Sequence, residues 1–247
     1  MGNCSKIASL QTLSRDLLDG ALAEIRLHRE ESSPPNEEYF LTAEYLLQEA
    51  MEYVTGALEM IKSGKSNASI ALSRWVLEAS LNLLWTVAER DKIEERHKVL
   101  IGEALRNDAC LLEGLAELWP DKKCQFISKA DEARKIRKNL GVEKSDRKSL
   151  EEKLKEVKQF DTANWPKLYP LYRICCAAAH PGLKVWERFG VVASSIVPRD
   201  PIDKQSTAYW MIAASTLYLV TFTYRLTELG DPKQLKDWWE NKVGRLL

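Results

Sequence analysis

Arg173 and His180 are the two residues of this chain whose types and spacing are best suited to joint chemistry. They lie seven residues apart in the segment LYRICCAAAHP, residues 171–181, which reads as a helix. Seven residues are close to two helical turns, so both side chains would lie on one face, about 10.5 Å apart along the axis. Pro181 and Gly182 end the predicted helix at the histidine. There the helix dipole favours the protonated imidazole, which suits a group that exchanges protons near neutral pH.

The chemistry that this pair could support is RNA cleavage without a metal ion. The 2′-hydroxyl must lose a proton, the leaving 5′-oxygen must gain one, and negative charge on the phosphate must be stabilised. Of the three histidines, only His180 has an arginine two turns earlier on the same predicted helix. A homodimer would bring two such helices together and supply two arginines and two histidines. The pair therefore predicts Arg173 as a phosphate clamp and His180 as the acid–base group.

Other chemistries have weaker support in the sequence. It contains no glycine-rich phosphate loop, nucleophile elbow, HExxH motif or paired CxxC motif. Cys176 and His180 have the i, i+4 spacing of metal ligands, but further ligands would have to come from distant segments. Cys176 could also act as a nucleophile, although cysteine in an alanine-rich helix is usually a small apolar filler. We therefore expect no metal and no cofactor.

A second set of polar residues lies in the third predicted helix, residues 68–90, which is apolar nearly all round. Arg74, Glu78 and Asn82 form a line at steps of four residues in this otherwise buried helix. Because buried charge is costly unless it is paired, the line either forms its own ion pair and orders the core or faces a cleft.

Most of the eight tryptophans are expected in the core, and Trp186, soon after His180, is a candidate ligand contact.

Charge is unevenly distributed along a chain whose 36 basic and 36 acidic residues balance. Residues 1–60 contain four basic and eleven acidic residues, whereas residues 121–158 contain thirteen basic and eight acidic residues. The basic segment either attracts phosphate or forms a solvated helix face.

The five scattered cysteines are typical of a reducing compartment, so we expect a cytoplasmic protein.

Hydrophobic periodicity indicates helices along nearly the whole chain. The predicted ranges are 5–29, 36–63, 68–90, 92–107, 109–118, 121–139, 146–158, the segment before His180, 206–229 and a terminal helix from residue 231. Residues 183–205 are the least regular. Residues 207–224 are uncharged, but their threonines, serines and tyrosines favour a core helix, so we expect no membrane association. The sequence predicts a single all-α domain, residues 1–247, of eight to ten helices around the 68–90 and 206–229 helices.

These segments resemble the HEPN superfamily of helical bundles, which is marked by an arginine, four to six residues and a histidine. A more specific similarity is to a bacterial helical family of unknown function within or near that superfamily. It covers about residues 40–230 and depends on the segment 73–79 (SRWVLEA), Tyr172-Arg173 and His180-Pro181. Many HEPN proteins are metal-independent ribonucleases, often dimeric toxins or antiviral effectors. The resemblance thus implies RNA as substrate, an antitoxin or regulatory protein as partner, and catalytic roles for Arg173 and His180.

Two other interpretations of the same residues stay open. Ile174 follows the arginine where the family often has a polar residue, and some HEPN proteins are non-catalytic. The chain would then be a helical module that binds a nucleotide or a protein through the same cleft. Alternatively, His180 caps helix carbonyls and Arg173 pairs with an acidic neighbour, with no ligand at all. In the catalytic interpretation Arg74, Glu78, Asn82 and Tyr172 are the supporting residues.

Overall fold

The computed structural model describes residues 2–32, 34, 36–142, 148–157, 168–179 and 201–229. In these residues it forms eight α-helices and no strand, as predicted. The helices are α1 (Gly2–Ser32), α2 (Glu37–Lys62), α3 (Ser66–Val87), α4 (Ile93–Leu118), α5 (Lys123–Asn139), α6 (Leu150–Val157), α7 (Leu168–Ala179) and α8 (Pro201–Thr227), with short 3-10 helices at Arg90–Lys92 and Pro120–Lys122.

The two largest differences from the predicted boundaries are at α4 and α8. The ranges 92–107 and 109–118 form the single helix α4, because Asn107 and Asp108 are exposed on its surface and their polarity does not interrupt it. Helix α8 begins at Pro201 rather than at residue 206, since proline is well tolerated in the first turn of a helix. The predicted helix from residue 231 and the irregular residues 183–200 lie outside the described residues.

The chain divides into two compact units. The first contains Met1–Leu84 and Phe160–Leu247, and the second contains Trp85–Gln159. The expectation of a single domain stays a prediction.

The core of the first unit is built on α8. Helices α1, α2 and α8 pack against one another. Helix α3 contacts α8 where the Ser80 hydroxyl donates to the Ser215 carbonyl at 3.1 Å. It contacts α2 where Tyr53 and Trp75 stack with ring centroids 4.8 Å apart. Most α8 side chains from residue 208 onward are buried, which confirms the predicted core helix. None of the helices in the described residues is long and apolar enough to cross a membrane.

Polar contacts also join α1 to its neighbours in the first unit. Glu44 of α2 accepts from Arg26 Nε at 2.7 Å and lies 2.9 Å from an Arg29 guanidinium nitrogen. The Tyr224 hydroxyl of α8 donates to Glu24 at 2.6 Å. Burial of the phenol and, after it, the contact with Glu24 raise the pKa of Tyr224 above its usual range. These contacts hold α1 in register with both α2 and α8.

The second unit is organised around the α4–α5 hairpin. Ala109, Ala130 and Ala133 form its small core, with Leu105 and Leu112 packed against them. Small side chains allow the two helices to approach closely. At Gly102 an added Cβ would lie 3.0 Å from Val142, so a larger residue at this position of α4 would require the Val142 side chain to shift by a few tenths of an ångström.

A buried tryptophan in the second unit is surrounded by charged groups. Trp85 is 2% exposed, and its indole N–H donates to Glu156 of α6 at 2.8 Å. Arg96 and Lys153 lie over the ring, each 5.0 Å from its centroid, and Lys148 lies at 5.7 Å. Cations at these distances are attracted to the negative face of the indole.

Carboxylates neutralise these cations. Lys153 is 2% exposed and donates to Glu103 at 2.6 Å. Arg96 is also buried; it pairs with Glu89 and donates to the Trp85 carbonyl at 2.8 Å. Because unpaired charge is costly inside a protein, each of these cations depends on its carboxylate partner. The network joins α4 and α6 to Trp85, in the last turn of α3, and to Glu89, which follows that helix.

Candidate functional site

Helix α7 carries the arginine of the predicted site. The helix spans Leu168–Ala179, so the helical part of the Arg173–His180 prediction is confirmed up to residue 179. Ile174 and Cys175 are buried, whereas Arg173 is exposed. No hydrogen bond or ion pair to the Arg173 side chain occurs within the described residues. His180 and Trp186 both lie outside them.

The polar line on α3 forms an ion pair that is accessible to solvent. Arg74 Nε lies 3.7 Å from Glu78 Oε2, and the two side chains are 36% and 44% exposed. The ion pair, one of the two alternatives that the sequence left open, is therefore formed, but it lies at the surface rather than in the core. Asn82, one turn further along α3, is partly buried.

Tyr172 of α7 connects the two charged residues of α3. Its hydroxyl accepts from an Arg74 guanidinium nitrogen at 3.4 Å and donates to Glu78 Oε2 at 3.3 Å. The Arg74 guanidinium carbon lies 5.6 Å from the centre of the Tyr172 ring. We call Arg74, Glu78, Tyr172 and the nearby Cys176 the Tyr172 cluster. The cluster fixes α7 on α3 at the residue immediately before Arg173.

The cluster keeps the Tyr172 phenol in its neutral form. Burial, a hydrogen bond with Cys176 and the negative charge of Glu78 raise the pKa of Tyr172 to about 12, although Arg74 opposes the shift. Burial is the largest single effect on the pKa of Arg74 and lowers it, but the hydrogen bond to Tyr172 and the charge interactions with Tyr172, Cys176 and Glu78 together outweigh burial, so the net pKa is raised. At neutral pH the phenol is thus a hydrogen-bond donor between a cation and an anion.

Cys176 is the member of the cluster that sequence analysis did not place there. It follows Tyr172 by four residues, one turn along α7, and this spacing is the signal that could have identified it. Cys176 is partly buried, while its neighbour Cys175 is buried. Burial raises the pKa of Cys175 to about 12, so this thiol stays protonated and inert.

The described residues contain no group of three or more histidine, cysteine, aspartate or glutamate side chains that could hold a metal ion. Comparison with known proteins adds no assignment, because no family model, curated protein or solved structure matches the chain.

The raised pKa of Tyr172 predicts a loss of stability in alkali. An unfolded tyrosine ionises near pH 10, whereas folded Tyr172 keeps its proton until about pH 12. Between these values the folded protein holds a proton that the unfolded chain has released, so the free energy of unfolding falls as pH rises. We expect Tyr172→Phe to flatten this fall in urea titrations at pH 9 to 11.5. The pKa values of Tyr218 and Tyr224 are also raised, so part of the slope should persist. An unchanged slope in Tyr172→Phe would contradict the prediction.

Proposed function

We propose that the protein is a metal-independent endoribonuclease of the HEPN type, with Arg173 and His180 as its catalytic residues. The observation that carries the proposal is the position of Arg173. Its side chain is exposed, while the residue before it is held on α3 by hydrogen bonds to Arg74 and Glu78. An arginine on a fixed helix and open to solvent is suited to binding a phosphodiester.

In the proposed reaction His180 removes the proton of the 2′-hydroxyl. The 2′-oxygen then attacks the adjacent phosphorus, and the bond from phosphorus to the 5′-oxygen breaks. Arg173 stabilises the negative charge on the nonbridging oxygens. The histidine of a second copy donates the proton that the leaving 5′-oxygen needs. The products are a 2′,3′-cyclic phosphate and a 5′-hydroxyl, so no water and no cofactor are consumed in this step.

The Tyr172 cluster has a positioning role in this proposal. Glu78 balances the charge of Arg74, and Tyr172 contacts both. The cluster therefore limits rotation of α7 about its axis and fixes the direction in which Arg173 projects. Arg74 and Glu78 are positioning residues, since they act through Tyr172 rather than on the substrate.

The resemblance to HEPN proteins adds a cellular role to the proposal. The protein would act in the cytoplasm as a homodimeric toxin or antiviral effector, under the control of an antitoxin or another regulatory protein. These assignments rest on the resemblance alone.

The test is incubation of the purified protein with total RNA in EDTA, followed by analysis of the fragment ends. We expect fragments with cyclic phosphate and 5′-hydroxyl ends. Arg173→Ala should slow cleavage by about 10² to 10³-fold, because it removes the group that stabilises the developing charge. Arg225→Ala is the matched control, since Arg225 is another exposed helical arginine. It should cleave at the wild-type rate.

Two results would contradict the proposed activity. One is intact RNA after incubation with folded wild-type protein, and the other is equal cleavage by wild type and Arg173→Ala. If the wild type binds RNA or a nucleotide without cleaving it, and Arg173→Ala weakens that binding, the protein is a non-catalytic binding module and not an enzyme.

A further inference from the structure

The outer surface of the α1–α2 hairpin exposes large apolar side chains. Leu27 of α1 is 55% exposed, and Leu41 and Tyr45 of α2 are 49% and 57% exposed. Leu41 and Tyr45 are four residues apart and therefore project from the same side of α2. Single exposed apolar residues are ordinary, but a group of them on one surface indicates an interaction site.

Contacts between the two helices place these side chains at the same level of the hairpin. His28 stacks on Phe40 with ring centroids 5.6 Å apart, and Arg26 bonds Glu44 at 2.7 Å. Leu27 lies between His28 and Arg26 in sequence and is thus level with residues 40–44 of α2. The opposite sides of both helices face the core of the first unit through Leu18, Ala21, Ile25, Leu47, Val54 and Ile61.

The exposed charged side chains of the hairpin are mostly acidic. Among the described side chains of α1 and α2, nine acidic residues are exposed: Asp16, Asp19, Glu24, Glu30, Glu31, Glu37, Glu38, Glu52 and Glu59. The cations among these side chains are Arg15, Arg26, Arg29 and Lys62. Arg26 and Arg29 pair with Glu44, and Lys62 pairs with Glu59 at 2.7 Å. The acidic residues in excess of these pairs give the surface a negative potential.

We infer that this surface, which we call the acidic hairpin face, binds a basic amphipathic helix of another protein. Apolar side chains at i, i+4 spacing on one helix, with a third on the adjacent helix, suit the apolar side of a docked helix. Lysine and arginine on the flanks of that helix would lie against the surrounding carboxylates, which favours association and selects the partner. The inference is independent of the proposed ribonuclease activity.

Charge argues against the other classes of partner. RNA and anionic membranes carry negative charge and would be repelled by the exposed carboxylates. A second copy bound symmetrically through the same surface would place one acidic hairpin face against another. Like charges facing each other across an interface are unfavourable. A basic amphipathic protein segment would cover the apolar side chains and pair its cations with the acidic ones.

The test uses the full chain and a fluorescein-labelled synthetic helix of about 18 residues, with leucine on one side and lysine on the other. We expect fluorescence anisotropy to show binding that weakens as salt is raised. The double variant Leu41→Ser, Tyr45→Ser should weaken binding at least tenfold. Glu37→Gln with Glu38→Gln should weaken it about threefold or more and reduce its dependence on salt. Tyr45→Phe should retain most of the affinity, and circular dichroism should confirm that each variant is folded.

Leu111→Ser is the matched control, because Leu111 is a helical leucine 61% exposed in the second unit. It should bind the lysine peptide as the wild type does. The inference is overturned if a peptide with glutamate in place of lysine binds equally well, or if Leu111→Ser weakens binding as much as the double variant. It is also overturned if sedimentation shows wild-type self-association that the double variant abolishes, since the occupant is then a second copy. All these variants should retain any ribonuclease activity, so failure of either proposal can be recognised separately.

Discussion

Replacement of His180 by alanine is expected to reduce RNA cleavage by about 10² to 10⁴-fold, the range typical for loss of a positioned acid–base group. The proposed reaction moves one proton from the 2′-hydroxyl and one to the leaving 5′-oxygen, and His180 of each copy performs one transfer. The variant therefore loses both proton transfers, while Arg173 still binds phosphate. We expect single-turnover rates to fall and RNA affinity to change by less than about threefold, since the histidine acts mainly in the transition state.

His28→Ala is the control for this experiment. His28 is an exposed histidine of α1 that stacks on Phe40, and no part of the proposed reaction uses it. It should cleave RNA as fast as the wild type. Equal rates for wild type and His180→Ala would remove His180 from the mechanism. A parallel loss in His28→Ala would show that the assay follows folding or purity rather than acid–base catalysis.

The helical architecture was largely predictable because it depends on local patterns. In α2, side chains such as Leu47, Val54 and Ile61 recur every seven residues on the buried side, and Gly64 follows the last turn with a positive φ of 72°. The boundary between residues 107 and 109 was wrong for a physical reason. Polar residues on the exposed side of a helix do not end it unless proline, glycine or a capping geometry intervenes.

The arrangement of the candidate site was only partly predictable. Helical spacing correctly brought Arg74 and Glu78 together, because they are four residues apart. Their contact with Tyr172 spans 94 to 98 residues of sequence, and no local pattern fixes a contact of that kind. The acidic excess of residues 1–60 was evident from composition. Which of these acidic residues are exposed beside Leu41 and Tyr45 depends on how α1 and α2 are turned toward the core.

The substitution with the largest expected effect on stability lies in the second unit. Glu103→Leu should lower the free energy of unfolding by about 3 kcal/mol, because it leaves the Lys153 ammonium buried without its carboxylate. Lys153 is 2% exposed, so water cannot replace the lost partner, and its contact with the Trp85 ring is too weak to compensate. Urea unfolding followed by circular dichroism would measure the loss. Amide hydrogen exchange should place it in residues 85–157.

A second substitution separates the cost of removing one member of the ion pair from the contribution of the intact pair to stability. Glu103→Leu combined with Lys153→Met removes both charges and keeps apolar volume at both positions, so most of the lost stability should return. Glu151→Leu is the matched control, because its ion pair with Lys155 at 3.1 Å is exposed and should contribute less than about 1 kcal/mol. If the double variant is as unstable as Glu103→Leu, the loss reflects altered packing around Trp85. Full recovery would show that Lys153 requires Glu103 mainly to neutralise its charge.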